Sequence, residues 1–246
     1  MSSSPLALLC LPCAGASATM YLRWRQSLPA WVHVVPLELP GRGMRLAEPF
    51  VEDYERLVDQ LCDELSARRD GRFALFGHSM GALLAHGVTR RLRDRGQAMP
   101  CALFASGSPA PARRDPQRFI ETRDDAALIA DLRQQGGTPE AVFDTPELLR
   151  LTLDTLGADY RLCASFRYRR AAPLNMPVHA FTGRDDAITT EQVAAWEHEA
   201  GGAFSLDWFE GGHFFIRQQQ SRVLATIARL LACPGVEQPR ASPAVS

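Results

Sequence analysis

Phe73-Ala74-Leu75-Phe76-Gly77-His78-Ser79-Met80-Gly81-Ala82-Leu83-Leu84 decides the fold. The first four residues form a short apolar run that reads as a buried strand. From Met80 to Arg95 the spacing of Leu83, Leu84 and Val88 predicts an amphipathic helix. Between them lies Gly-x-Ser-x-Gly. A strand that turns sharply into a helix there lifts the serine hydroxyl above the sheet. Bulky neighbours would clash in so tight a bend, and glycines flank it. Ser79 is therefore the candidate nucleophile.

Outward from this bend, short apolar runs alternate with longer amphipathic stretches, the rhythm of strands and crossover helices in a parallel sheet. Strands are predicted at Leu6–Leu11, Trp31–Leu37, Phe73–Phe76, Ala102–Ala105, Val178–Thr182 and Phe204–Phe209. Helices are predicted at Val51–Arg68, Met80–Arg95, Thr190–Ala200 and Gln218–Leu231. From about 111 to 170 no strand is evident; Glu121–Gln135 and Pro146–Arg167 read as helices joined by Gly136-Gly137-Thr138-Pro139. A helical block inserted between strands reads as a lid over the carboxyl edge of the sheet. The expected architecture is an α/β-hydrolase fold: a mostly parallel central sheet flanked by helices, with a helical lid insertion. One domain is expected over 1–233, and 234–246, rich in Pro, Ala and Ser, is expected to be disordered.

A serine hydroxyl is a weak nucleophile at neutral pH and needs an adjacent base. In this fold the chain order is serine, acid, histidine. His213 follows a strand, in Glu210-Gly211-Gly212-His213, where two glycines free the backbone to aim the imidazole. The acid is expected after Val178–Thr182, in Gly183-Arg184-Asp185-Asp186. The Gly-x-x-Asp spacing favours Asp186, with Asp185 as a turn or capping residue. The acid would accept from imidazole Nδ1–H and stabilise the imidazolium. An oxyanion hole needs two backbone donors. Met80, after the nucleophile, supplies one; Ala14, in the small-residue loop after the first strand, is the candidate for the other.

Composition sets the frame. The 246 residues carry a net charge of −1, so nucleic acid is not expected as a partner. All 27 basic residues are arginine. No apolar run is long enough for a transmembrane helix. The six cysteines lack zinc-ligand spacing, and Cys10-Leu11-Pro12-Cys13 leads into a loop rather than opening a helix, so neither a metal nor a redox role is expected. Scattered cysteines with apolar flanks suit reduced thiols in a cytoplasm. Without an obvious interface segment, a monomer is expected.

Together these motifs resemble the stand-alone type II thioesterases of polyketide and nonribosomal peptide assembly lines. The resemblance runs from about Leu8 to Leu231. Leu11-Pro12-Cys13-Ala14-Gly15-Ala16, Leu39-Pro40-Gly41-Arg42-Gly43, the segment Phe76–Gly81, Gly136-Gly137-Thr138-Pro139, Ala158-Asp159-Tyr160 and Gly211-Gly212-His213-Phe214-Phe215 are all similar to family landmarks. Ala16, Gly157 and Ala187 depart from the pattern, and none removes a catalytic group. The resemblance implies hydrolysis of acyl groups from the phosphopantetheine arm of acyl or peptidyl carrier proteins, clearing stalled or aberrant chains without metal or cofactor. Alternatives are another serine esterase or acyltransferase, such as a medium-chain acyl-carrier thioesterase or chain-releasing enzyme, and a non-catalytic binding relative. Carriers are acidic, which makes Arg113, Arg114, Arg118, Arg123, Arg161, Arg167 and above all Arg169 and Arg170 candidate contacts. Met20 and Tyr21 are candidates to line an acyl pocket, with packing in the core as the equal alternative.

Overall fold

The computed structural model describes residues 5–67, 71–121 and 124–232. Six strands form one parallel sheet: β1 (Leu6–Leu11), β2 (Val32–Pro36), β3 (Arg72–His78), β4 (Leu103–Ser106), β5 (Val178–Gly183) and β6 (Phe204–Phe209). Their spatial order is β2-β1-β3-β4-β5-β6. Both faces of the sheet are covered, so its inner strands are continuous apolar runs rather than alternating ones. In β4 and β5 every residue is buried.

One face packs on α1 (Tyr54–Ala67) and α2 (Met80–Asp94), with Leu57, Val58, Leu61, Leu83, Leu84 and Val88 in a common core. The other face packs on the 3-10 segment Ala18–Gln26 and on α9 (Gln220–Ala232), whose Val223, Leu224, Ile227 and Leu231 form one helical stripe. Between β4 and β5 lies the helical block: α3 (Gln117–Glu121), α4 (Asp125–Gln135), α5 (Glu140–Phe143) and α6 (Pro146–Ser165). It has its own small core of Leu128, Leu153, Leu156 and Tyr160. α7 (Thr190–Ala194) follows β5, and α8 (Phe215–Gln218) and α9 (Gln220–Ala232) follow β6.

Several expected boundaries move. The helix expected at Thr190–Ala200 ends at Ala194, two residues beyond its Thr189–Gln192 capping box, and Ala195–Glu199 continues as 3-10. The helix expected from Glu121 is two pieces, and α5 was not expected. Residues 234–246 and Arg123 lie outside the described residues.

The strand order positions the site. The chain leaves β1 toward β2 on one side and returns to β3 on the other. The connections that leave their carboxyl ends run to opposite sides, which opens a crevice. Leu11 pairs with Gly77 across β1 and β3. The loop carrying Ala14 and the bend carrying Ser79 therefore emerge side by side.

Candidate active site

Ser79 sits at φ 55° and ψ −113°, the only non-glycine residue with positive φ among the described residues. Such a conformation is costly for an L residue and persists only where the surroundings enforce it. The Ser79 N–H donates to the Ser106 carbonyl at 2.7 Å, tying the bend to the end of β4. The Ala82 N–H donates to the Ser79 carbonyl at 3.1 Å as the helix begins. A Cβ on Gly77 would overlap the Gly81 carbonyl, and one on Gly81 would meet the backbone of Leu11 and Pro12. Both glycines are thus required by close backbone approach.

The turn after β5 is stitched to the loop after β6. Arg184 N–H donates to the Phe209 carbonyl at 2.9 Å, and Asp185 N–H to the Gly211 carbonyl at 3.1 Å. These bonds bring His213 Nδ1 to 2.9 Å from Asp186 Oδ2. The Asp186 side chain is 3% exposed and that of His213 14%. Asp185, by contrast, is an exposed residue. Ser79, Met80, Ala14, Asp186 and His213 all line one cavity of about 440 Å³. The residues singled out from the sequence are therefore brought together at one mouth.

Sequence reasoning passed over His78. Its ring centroid is 5.0 Å from that of His213, and its Nδ1 is 3.0 Å from Ser106 Oγ. Burial, helped by the neighbouring His213 and Arg217, pushes its pKa well below the usual histidine range. It is a buried, neutral neighbour of His213, with the two rings tilted by 44°. The Gly-x-Ser-x-Gly pattern leaves that position open, so only the fold reveals it. Cys10 and Cys13 are buried and unpaired, and burial pushes the Cys13 thiol up to about 12, which leaves it protonated.

A second cavity of about 300 Å³ adjoins the first and shares Cys13, Ala14, Gln135, Tyr160 and Phe214 with it. Met20 lines this second space. Tyr21 does not line either cavity: it is fully buried against Trp24 and Phe76, and its hydroxyl donates to the Leu11 carbonyl at 2.8 Å. Its hydroxyl thereby satisfies a β1 carbonyl and belongs to the core. Arg113, Arg114 and Arg118 line the Ser79 cavity. Arg169 instead lines a separate depression with Arg90, Arg91 and Arg167, and Arg170 is exposed. Arg161 is engaged by Glu52 at 2.6 Å.

Comparison with known proteins agrees with this geometry. The thioesterase-domain family profile matches residues 7–231. The thioesterase PikA5 of Streptomyces venezuelae is 35% identical over 97% of this chain and 85% of its own. The RedJ thioesterase from the prodiginine biosynthetic pathway in Streptomyces coelicolor superposes with a TM-score of 0.85 at 37% identity, over 92% and 91% of the two chains. The type II thioesterase BorB from the borrelidin biosynthetic cluster gives 0.83 at 39% identity, over 93% of each. The chain has the α/β-hydrolase architecture expected of a serine hydrolase. It belongs to the thioesterase family, and is an enzyme of that class. No helix among the described residues is long and apolar enough to cross a membrane.

Proposed function

We propose that the protein hydrolyses acyl thioesters on the phosphopantetheine arm of acyl or peptidyl carrier proteins, and so removes stalled or aberrant acyl groups from a polyketide or nonribosomal peptide assembly line. The observation that carries the chemistry is the 2.9 Å His213–Asp186 contact at the rim of the cavity that holds Ser79. The relatives named for such pathways support the substrate class.

Ser79 Oγ attacks the thioester carbonyl while His213 Nε2 takes its proton. The Ala14 and Met80 amides receive the negative charge that develops on the carbonyl oxygen. Met80 opens α2, so the helix N-terminus adds its partial positive charge. The tetrahedral adduct collapses, the C–S bond breaks, and the imidazolium returns its proton to the departing thiolate. His213 then draws a proton from water, which attacks the acyl-serine carbonyl; as the acyl C–O bond breaks, the imidazolium returns that proton to Ser79 Oγ, and the acid and free Ser79 are released. The Asp186 carboxylate holds the ring by Nδ1 throughout.

The helical block is the lid over this cavity in our reading. Arg113, Arg114 and Arg118 at the cavity, and apart from it the exposed Arg169 and Arg170, supply the cationic surroundings that an acidic carrier and its phosphate would seek. The five described cysteines are unpaired, which supports a reducing, cytoplasmic setting.

The test compares hydrolysis of an acyl group on a carrier protein with hydrolysis of an oxygen ester of the same acid, in wild type and Ser79→Ala. A strong preference for the carrier thioester, abolished in the variant, is expected. Equal or better turnover of the oxygen ester would reject the substrate class. Full activity in Ser79→Ala would reject the mechanism.

A further inference from the structure

The groups that shape the loop after β1 come from far away in the chain. Arg42 and Asp159 meet in a two-pronged ion pair, with Nη1–Oδ2 and Nη2–Oδ1 both 2.6 Å. Their side chains are only 7% and 3% exposed. A pair this deep is a poor source of stability, because desolvating both charges offsets their attraction. Its remaining bonds indicate what it holds. Asp159 Oδ2 also accepts from the Gly15 N–H at 2.8 Å, and Arg42 Nη1 also donates to the Ala16 carbonyl at 3.3 Å. The ion pair therefore grips the loop at the two residues that follow Ala14.

A carboxylate acceptor makes a shorter and stiffer bond to a backbone N–H than a neutral one does. The Gly15 N–H, once turned toward Asp159, sets the plane of the Ala14–Gly15 peptide and so constrains the backbone of Ala14. The next residues are tied down separately, since Ser17 Oγ donates to Glu38 at 2.6 Å and the Ala18 N–H donates to Glu38 at 3.0 Å. Asp159 belongs to α6, and Ala14 packs on the small core of the helical block that α6 helps to build.

We propose that Arg42 and Asp159 are positioning residues for the oxyanion hole: they hold the Ala14 amide in place, and because Asp159 rides on α6 the hole is complete only with that helix seated. The inference rests on the reading of Ala14 as an oxyanion donor. Arg42 and Asp159 touch neither substrate nor reacting atoms. Their contribution is to orientation, where a displacement of about 1 Å lowers the rate about 100-fold.

The experiment uses the full chain and two double variants. Arg42→Met with Asp159→Leu replaces the ion pair by apolar groups, a change that buried pairs often tolerate without loss of stability, but it frees the Gly15 N–H. Arg42→Met with Asp159→Asn also removes both charges yet keeps an acceptor for that N–H. The leucine variant is expected to lose roughly 30- to 100-fold in kcat on an acyl-pantetheine thioester, with KM within about threefold. Its affinity for a trifluoromethyl ketone, which forms an oxyanion adduct on Ser79, should fall in parallel, and the asparagine variant should recover most of both losses. A folded leucine variant with kcat within threefold of wild type overturns the proposal. So does an asparagine variant no better than the leucine one, or a kcat loss without loss of ketone affinity. Arg42→Lys, which keeps a cation but not the two-pronged grip, provides a second route should the leucine variant fail to fold. A roughly tenfold lower kcat at unchanged KM supports the proposal, and unchanged kcat overturns it. Failure of the underlying reading shows separately, as a wild-type enzyme that forms no ketone adduct at Ser79.

Discussion

Gly81→Ala is the sharpest test of how the nucleophile is held. The added methyl would lie 2.7 Å from the Pro12 carbonyl oxygen and 2.8 Å from the Leu11 carbonyl carbon, and closer still to the Leu11 oxygen. All three atoms are backbone, so no rotamer change relieves the overlap. Either α2 or the end of β1 must move by most of an ångström. β1 is paired on both sides, by β2 and β3, and cannot shift alone. Overpacking a rigid interior costs about 1–3 kcal/mol, and a clash of backbone with methyl belongs at the upper end. At roughly 2–4 °C per kcal/mol for a chain of this size, about 3 kcal/mol lowers Tm by about 6–12 °C. The displacement also separates the Pro12–Ala14 loop from the start of α2, and so spreads the two oxyanion amides. A misplacement on this scale lowers kcat about 100-fold. Calorimetry and steady-state hydrolysis of an acyl-pantetheine thioester measure the two effects. Gly157→Ala is the control: its methyl would meet the flexible end of Arg161 at 3.3 Å and Leu128 at 3.7 Å. A mid-helix alanine there should stabilise by up to about 1 kcal/mol. A Gly81→Ala enzyme that melts within about 2 °C of wild type and keeps kcat within twofold would refute the reasoning.

Asp186→Asn should lower kcat by about 10⁴-fold, since it loses the carboxylate that holds His213 Nδ1, while Asp185→Asn should change it less than about twofold; the reverse order would exchange their roles. Glutamate at both Arg169 and Arg170 should raise KM roughly 5- to 10-fold on a carrier-bound acyl group and leave a pantetheine thioester unaffected; equal effects on both substrates would remove these arginines from carrier recognition. His179 is held at a pKa of about 4 by burial, with Arg229 adding to the effect, so the folded chain keeps it neutral. The unfolded chain takes up that proton as pH falls through about 6.5, and stability declines from there down to pH 4 by up to about 3 kcal/mol. Urea denaturation should show a shallower decline in His179→Gln, and parallel pH slopes for the two proteins would contradict this assignment.

The sheet was legible because its chemistry is local. An inner strand covered on both faces is mostly apolar, as Leu6–Leu11 is throughout, whereas the edge strand Phe204–Phe209 alternates apolar residues with Ser205 and Asp207; both patterns read as strand without reference to any other part of the chain. The bend at Ser79 was legible for the same reason, since its two glycines answer to atoms within or beside the motif. The sequence reads Thr190–Ala200 as one helix, yet the segment changes to 3-10 after Ala194, where Trp196 is buried and donates its indole N–H to the Ser108 carbonyl at 2.9 Å. Local spacing holds no trace of a partner 88 residues away. Tyr21 was ambiguous on the same ground: a tyrosine beside a catalytic loop and a tyrosine in the core are the same letters until its hydroxyl finds Leu11.

The Arg42–Asp159 pair marks where sequence reading stops. Each residue lies in a stretch that the family resemblance singles out, yet the two are 117 residues apart and neither carries a local signal of its partner. An arginine after Pro-Gly reads as a turn residue, and an aspartate midway along a helix reads as a surface one. Burial reverses both readings: two charges at 7% and 3% exposure must answer one another, and with Gly15 and Ala16 in reach they also answer the backbone of the loop between them. Ser79, Asp186 and His213 line one cavity because strand order brings the carboxyl ends of β3, β5 and β6 to the same edge. The Ala14 amide, the second oxyanion donor of our proposal, has no such guarantee, because it belongs to a loop without a side chain suited to the task. On that proposal the need is met by a charge borrowed from the helical block, and seating α6 completes the reaction centre.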